Sequence, residues 1–371
     1  MALTNFAALT NEELTIWQRD VWKQGRNSSF MGRFMGKGPN AMINRVTELT
    51  KSSKGARAVM TLVADLEGDG VAGDRTLRGN EEALKTSEQV IRIDQLRHAN
   101  AHEGRMADQK SVVEFRENSR DVLAYWLADR WDQMAFLALA GVSFAFNTDG
   151  SARVGSDLIN LEFAADVTAP SANRHRRWDG AAGKLVAGNT AGIVTADKPS
   201  YKMLVAIRAY LKRQQMKPIR GENGKALFNV YMCPEALAFL KMDADFIANV
   251  RSTQERMKDS PLFMGYEDAI MIDGFAIYDY NHAYNTIGAL SGSKWGATGV
   301  LDGARISICG AQALGFADIG QPIWVEEGFD YENQQGISVA KIAGFKKGVF
   351  RSNVTRTSED FGVLNVDVAI A

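Results

Sequence analysis

In the stretch KSVVEFRENSRDVLAYWLADRWDQMAFLALAG, apolar residues recur every three or four positions. Leu123, Trp126, Leu127, Met134 and Leu137 fall on one stripe, with Arg116, Glu117, Arg120 and Arg130 largely off it. The spacing predicts a helix over 111–141 whose stripe faces a core and which stops at Gly141. At about 1.5 Å per residue it would run roughly 40 Å, long enough to be the axis of a domain. A second helix is expected within KPSYKMLVAIRAYLKRQQMKP, which has Pro199 near its start and Pro218 after its end. A third is expected near the N-terminus, where Thr10 and Glu13 form a capping-box pattern ahead of Leu14, Trp17 and Val21.

Period-two runs appear elsewhere. ARAVMTLVADL and EQVIRIDQLR read as strands flanking a polar, glycine-rich tip, so residues 56–97 predict one large hairpin. Short strands are expected in ALFNVYMC, AIMIDGFAIYDY, ARISICGAQAL, PIWVEEG, ISVAKIAGFKKGVF and the terminal VLNVDVAIA. Residues 142–197 read as mostly loop, and RNSSFMGRFMGKGPNAMINRVTEL as an extended arm with little core of its own. Helices and mostly antiparallel strands are segregated rather than alternating, which predicts an α+β fold.

Composition narrows the partners. The chain has 371 residues, 46% hydrophobic and 23% charged, with 43 Lys+Arg against 44 Asp+Glu and a net charge of -1. That balance argues against a dedicated nucleic-acid binder. Cys233 and Cys309 sit in apolar runs and read as buried free thiols. The N-terminus lacks a signal-type pattern, and the longest apolar stretch, AFLALAGVSFAF, is too short for a bilayer span of about 20 residues. The expectation is a soluble protein made in the cytoplasm.

Candidate chemistry concentrates in LVADLEGDGVAGDRTLRGNEEAL. Gly68, Gly70 and Gly73 spell G-x-G-x-x-G, but no helix period follows, and Asp65, Glu67, Asp69 and Asp74 would crowd carboxylates around a phosphate. Asp65, Glu67, Asp69 and Gly70 open like a calcium loop, yet Thr76 stands where the bidentate Glu is needed. His98 and His102 have the four-residue spacing of a helical metal pair, but Ala99 replaces the Glu of the metalloprotease motif. They are expected to be solvated or interface histidines, with His175 and His282 remote in sequence. Arg174 to Arg177, RHRR, reads as a solvated basic loop, with contact to nucleic acid or a neighbouring subunit as the alternative. No nucleophile–base motif has a recognisable context. The expectation is a non-enzyme with no catalytic, cofactor-binding or metal residues and no cofactor.

A hairpin with a charged glycine-rich tip, then a long helix, then an α+β body ending in a strand resembles the major capsid proteins of tailed phages. These share the fold first described for phage Hong Kong 97, and the chain looks most like the type found in coliphage N-four. The resemblance rests on DLEGDGVAGDRTLRGNEEAL, VIRIDQLRHAN, RDVLAYWLADRWDQMAFLALAG, SPLFMGYEDAIMIDGFAIYD, GAQALGFADIG and FDYENQQGISVAKIAGFKKGVF, in that order. Cys233 departs from the pattern, standing where a His would be expected before the Pro, so a packing role is the reading there.

The resemblance implies an N-terminal arm over 1–50, an extended loop over 51–106 and an axial domain over 217–342. The peripheral domain would cover 107–216, with the spine helix 111–141 and the C-terminal strands of 343–371. Asp69, Gly70, Gly73, Asp74, Arg75, Arg78, Glu81 and Glu82 would then form an intersubunit contact at the loop tip. Leu123, Trp126, Leu127, Met134 and Leu137 would form the spine-helix core. The implied function is a subunit that self-assembles into hexamers and pentamers of an icosahedral head around double-stranded DNA. Implied partners are further copies, a separate scaffolding protein, a portal, a decoration protein and non-specific contact with packaged DNA, with no membrane. The site of action would be the virion, assembled in the host bacterial cytoplasm. A nanocompartment shell of the encapsulin type, and an enzyme using the glycine-rich loop for a ligand, are the alternatives.

Overall fold

The computed structural model describes residues 29–47, 57–63, 66, 68–83, 86–106, 115–220, 224, 226–254, 269–352 and 354–371. The helix expected after Thr10 lies outside them. The predicted long helix is α1, Phe115–Ala140; the expected first turn, at 111–114, is also outside the described residues. It ends as its sequence requires. Gly141 takes φ +68° and donates to the Ala138 carbonyl, while Val142 donates to the Leu137 carbonyl at 2.9 Å. This closes a Schellman turn that only glycine enters without strain.

The stripe proves to be the narrow part of the story. Leu123, Leu127, Met134 and Leu137 are buried, with Trp126 half-buried, but from Trp131 to Ala140 nearly every side chain of α1 is buried. The reason is that α1 lies between two sheets. Its core holds Leu314, Phe316, Ile337, Val339 and Phe345 from one sheet and Tyr231, Cys309 and Val363 from the other. A helix covered all round carries apolar residues all round.

The smaller sheet has six strands, in the order Met35–Gly36, Ile43–Val46, Leu314–Asp318, Gln334–Lys347 and Ile323–Phe329, with Asp94–Ala101 also paired to the long Gln334–Lys347 strand. The larger has eight. Its path runs Ile270–Ile272, Phe275–Asp279, Ala226–Met232, Gly303–Cys309, Val363–Ala369, His175–Asp179 and Lys184–Ala187, with Ile219–Arg220 beside Ala226–Met232. Against it pack α2, Tyr201–Arg213, α3, Pro234–Met242, and Phe246 of α4, Ala244–Gln254. Ser200 caps α2 by accepting the Met203 N–H, and Pro234 opens α3 directly after a strand.

Several expectations need correction. The segment 29–47 is not a loose arm, because Met31, Met42 and Ile43 are buried in the α1 core and Ile43–Val46 pairs with Leu314–Asp318. EQVIRIDQLR is not one strand. It breaks at Ile93, so that Thr86–Arg92 pairs with Arg57–Val63 and Asp94–Ala101 with Gln334–Lys347. The C-terminal strand Val363–Ala369 sits inside the larger sheet, between Gly303–Cys309 and His175–Asp179. Residues 314–342 belong to the smaller one. Both cysteines are buried free thiols, as read, and burial pushes the Cys233 thiol up to about 12.

Candidate assembly interface

The hairpin has a fixed base and an open tip. At the base, Ala58, Met60 and Ile91 are buried with Val46 and Ala317 in a small core of their own. The backbones meet closely there. A methyl group on Gly344 would sit 1.9 Å from the Arg92 carbonyl oxygen, so only glycine allows the hairpin to lie on the sheet. Asp166 pins the same corner, accepting from the Arg92 N–H at 2.9 Å and from Lys346 Nζ at 3.3 Å.

Beyond Val63 and Thr86 the chain leaves the body. Every described residue from 72 to 83 is exposed, including Leu77. The tip is held in shape by its own acids. Glu82 accepts the Gly68 N–H at 2.7 Å and Glu81 the Gly79 N–H at 2.6 Å. Gly70 and Gly73 take φ +75° and +67°, which is the use of those glycines. Asp69, Asp74 and Arg75 form no side-chain hydrogen bond or ion pair with the described residues, nor does the Arg78 guanidinium. Of the eight predicted contact residues, all are brought together on this one projection. Asp65 and Glu67 lie outside the described residues, and among the described ones no three His, Cys, Asp or Glu could hold a metal ion.

The basic-run expectation changes, whereas His98 is exposed, in line with a solvated or interface histidine. His98 lies on a strand rather than a helix and stacks on Trp126 at 4.5 Å, while His102 packs edge-on against Phe115 at 5.0 Å. His282 bonds Asp129 at 2.7 Å. RHRR is not a solvated loop, because His175–Asp179 is a strand of the larger sheet and carboxylates face Arg174, His175 and Arg177. Arg174 is buried against Glu359 at 3.5 Å, His175 bonds Asp367 at 2.6 Å, and Arg177 meets Asp197 at 3.7 Å. Arg176 lies over the Tyr210 ring at 4.8 Å.

Three buried charge clusters were not anticipated. Arg305 donates to both oxygens of Asp367, at 2.7 and 3.1 Å, and to the Ala140 carbonyl at 2.9 Å. Asn365 donates to the Leu139 carbonyl at 3.0 Å, so the larger sheet grips the last turn of α1 at the negative end of its dipole. Burial acts to raise the Asp367 carboxyl, but Arg305 first, and then His175, hold it below the usual carboxylate range. Asp318 is likewise held low against burial by Lys341 at 2.6 Å and Arg45 at 2.5 Å, which ties 43–46 to the smaller sheet. Asp132, buried inside α1, accepts from Ser29 Oγ at 2.6 Å, the Phe30 N–H at 2.7 Å, the Met31 N–H at 3.3 Å and Tyr280 Oη at 3.0 Å. Burial raises its carboxyl despite these four donors. The available signal was a lone charge inside an apolar run: Arg305 in ARISIC, Asp367 in VLNVDVA, Asp132 amid WDQMAFLA.

Two sheets thus enclose one long helix, with a hairpin projecting from one of them, and no helix among the described residues is long and apolar enough to cross a membrane. A profile of the family described as phage capsid protein matches residues 5–371. The chain is 54% identical over 368 residues to the major capsid protein of Pseudomonas phage KPP25, covering 99% of this chain and 97% of that protein. The capsid of Ralstonia phage GP4 is similar at a TM-score of 0.74 and 26% identity, over 92% of this chain and 91% of that one. The capsid of cyanophage Pam1 shares the fold at a TM-score of 0.71 and 16% identity, over 93% of each chain. The chain therefore belongs to the phage capsid protein family. It is a major capsid protein with the α+β fold of Hong Kong 97, a virion component that builds shells from copies of itself. The matches lend no support to the nanocompartment alternative.

Proposed function

We propose that copies of this chain form hexamers and pentamers of a closed icosahedral head around double-stranded DNA, with the tip at 68–83 as an arm that lies on a neighbouring subunit. The role is structural, without catalysis. The observation that carries this reading is the contrast between base and tip: the base is packed on its own sheet, while Asp69, Asp74, Arg75 and Arg78 extend into solvent with no side-chain partner among the described residues. In domain terms, α1 and the six-stranded sheet correspond to the peripheral part, and the eight-stranded sheet with α2 to α4 to the axial part. A separate scaffolding protein, a portal and a decoration protein are the further partners in this scheme, DNA is touched non-specifically, and assembly takes place in the host cytoplasm.

Deleting 65–85 tests it. The tip carries little buried apolar surface, so thermal unfolding of the unassembled subunit is expected to move only slightly. Shell yield, scored by negative-stain microscopy with scaffold supplied, is expected to collapse, because even about 1–2 kcal/mol per contact changes each association constant by roughly tenfold or more. A deletion variant that forms normal shells would refute the arm.

A further inference from the structure

Between the strand Asp94–Ala101, the middle of α1 and the loop 147–161 lies an open cleft of about 840 Å3. Arg97, Arg130 and Arg153 line it, and Asp157 is the one carboxylate among the lining residues. The guanidiniums are short of anions. Arg130 donates to the Gln133 side-chain oxygen at 2.8 Å, and Arg153 donates to that same oxygen at 2.9 Å and to the Phe146 carbonyl at 3.1 Å. None of the three has a carboxylate within ion-pairing distance among the described residues. Burial, and then the repulsion of Arg130, hold the Arg153 guanidinium below its ordinary value, with Asp149 and Asp129 acting the other way. Two arginines sharing one neutral acceptor leave strong, directional donor capacity unused. The wall beside them is the His98 ring stacked on Trp126, and Val154 stands almost fully exposed at the rim.

The matching chemistry is on the same chain. The span Asp65–Lys85 holds six carboxylates against three basic side chains, and Leu66 and Leu77 are exposed there. Seven paired residues per hairpin strand carry this tip on the order of 20 Å from Arg92, where the strand lining the cleft begins. Resting on the reading of the tip as an intersubunit arm, we propose that the acidic tip of one subunit docks in this cleft of the next. Asp69 and Asp74 would take the guanidiniums of Arg97, Arg130 and Arg153, and Leu77 would lie against Val154. Complementary charge of this kind fixes register and partner more than raw affinity.

The experiment places a cysteine pair, Asp74→Cys with Arg97→Cys, in the full-length chain, whose own two cysteines are buried. Shells assembled with scaffold and then mildly oxidised are expected to give a ladder of subunit multimers on a denaturing gel, absent when either cysteine is introduced alone. In parallel, the exposed-site reversal Arg97→Glu is expected to lower shell yield about tenfold without moving the melting of the unassembled subunit. Adding Asp69→Lys and Asp74→Lys to that variant is expected to restore the yield. No ladder and no rescue, in a protein whose shells still vanish on deletion of 65–85, would overturn the cleft while leaving the arm in place. Shells that survive the deletion would remove the arm itself. Normal shells from Arg97→Glu that package less DNA would reassign the cleft to DNA and overturn the proposal.

Discussion

Replacing Arg305 with Met would leave a carboxylate with no accessible surface facing a hydrocarbon chain. In the intact protein Asp367 is 0% and Arg305 8% exposed, and two N–H···O bonds of 2.7 and 3.1 Å join them. Removing one partner of such a pair costs about 3–5 kcal/mol, mostly the desolvation of the charge left behind. His175 remains at 2.6 Å from Asp367 and offsets part of that cost, so about 3 kcal/mol is expected, on the order of a hundredfold in the folding equilibrium. The Ala140 carbonyl also loses its donor, loosening the last turn of α1. Urea unfolding of the unassembled subunit measures the loss directly. The pH dependence carries the sharper test. Asp367 is held low in the folded protein, so its contribution is present above about pH 4 and is lost as pH falls through the depressed folded value. In Arg305→Met burial is opposed only by His175 and the carboxyl moves up, so the gap between variant and parent should narrow on acidification. The double variant Arg305→Met with Asp367→Leu should recover most of the stability, since an apolar pair replaces a buried ion pair at little net cost. A single variant within about 0.5 kcal/mol of the parent, or a gap that widens in acid, would refute the reasoning.

Gly141→Ala is expected to destabilise by roughly 2 kcal/mol or more, because φ is +68° and the added methyl would lie 2.6 Å from the Thr168 carbonyl oxygen. An unchanged urea midpoint would contradict the Schellman turn. Asp132→Ala strips the acceptor from Ser29, Phe30, Met31 and Tyr280, so proteolysis within 29–34 should rise about tenfold, in line with roughly 1–3 kcal/mol per buried group left unsatisfied. Protection equal to the parent would mean that other contacts hold this segment.

The parts legible in the sequence were those set by local rules. The period of α1, its stop at Gly141, the helix between Pro199 and Pro218, the hairpin and most strands follow from spacing and capping alone. The parts that were not legible depend on what lies across a sheet. RHRR reads as a solvated run until Glu359, Asp367 and Asp197, each brought from far along the chain, are seen facing it. Ile93 breaks a run of clean alternation only because Thr86–Arg92 and Asp94–Ala101 pair with different partners. Residues 29–47 look coreless because their core, around Phe136 and Phe316, belongs to other elements. The tip residues could be singled out by composition, whereas the cleft arginines are spread over 97, 130 and 153 with no common motif.

Charge is distributed in this subunit by depth. Inside, Arg305 with Asp367, Lys341 with Asp318 and Lys347 with Asp360 are paired within the chain, at 2.7, 2.6 and 3.3 Å. Arg305 also ties the larger sheet to the end of α1 at the Ala140 carbonyl, and all three pairs are complete within one subunit. At the tip and in the cleft the opposite holds: Asp69, Asp74, Arg75 and Arg78, and Arg97, Arg130 and Arg153, have no ion-pair partner among the described residues. If tip and cleft are partners as proposed, the contact joins two different surfaces, and such head-to-tail contacts generate rings wherever the rotation per subunit closes. A rigid body alone would fix that rotation and allow one ring size. The hairpin is anchored at a close-packed corner, with a short paired stem and a tip shaped by glycines, so on the proposed contact the stem rather than the core would set the angle between neighbours. A closed shell needs rings of more than one size from one sequence. On the proposed contact, the hairpin is where that adjustment would lie, and stiffening or shortening the stem should alter which rings form before it alters whether the subunit folds.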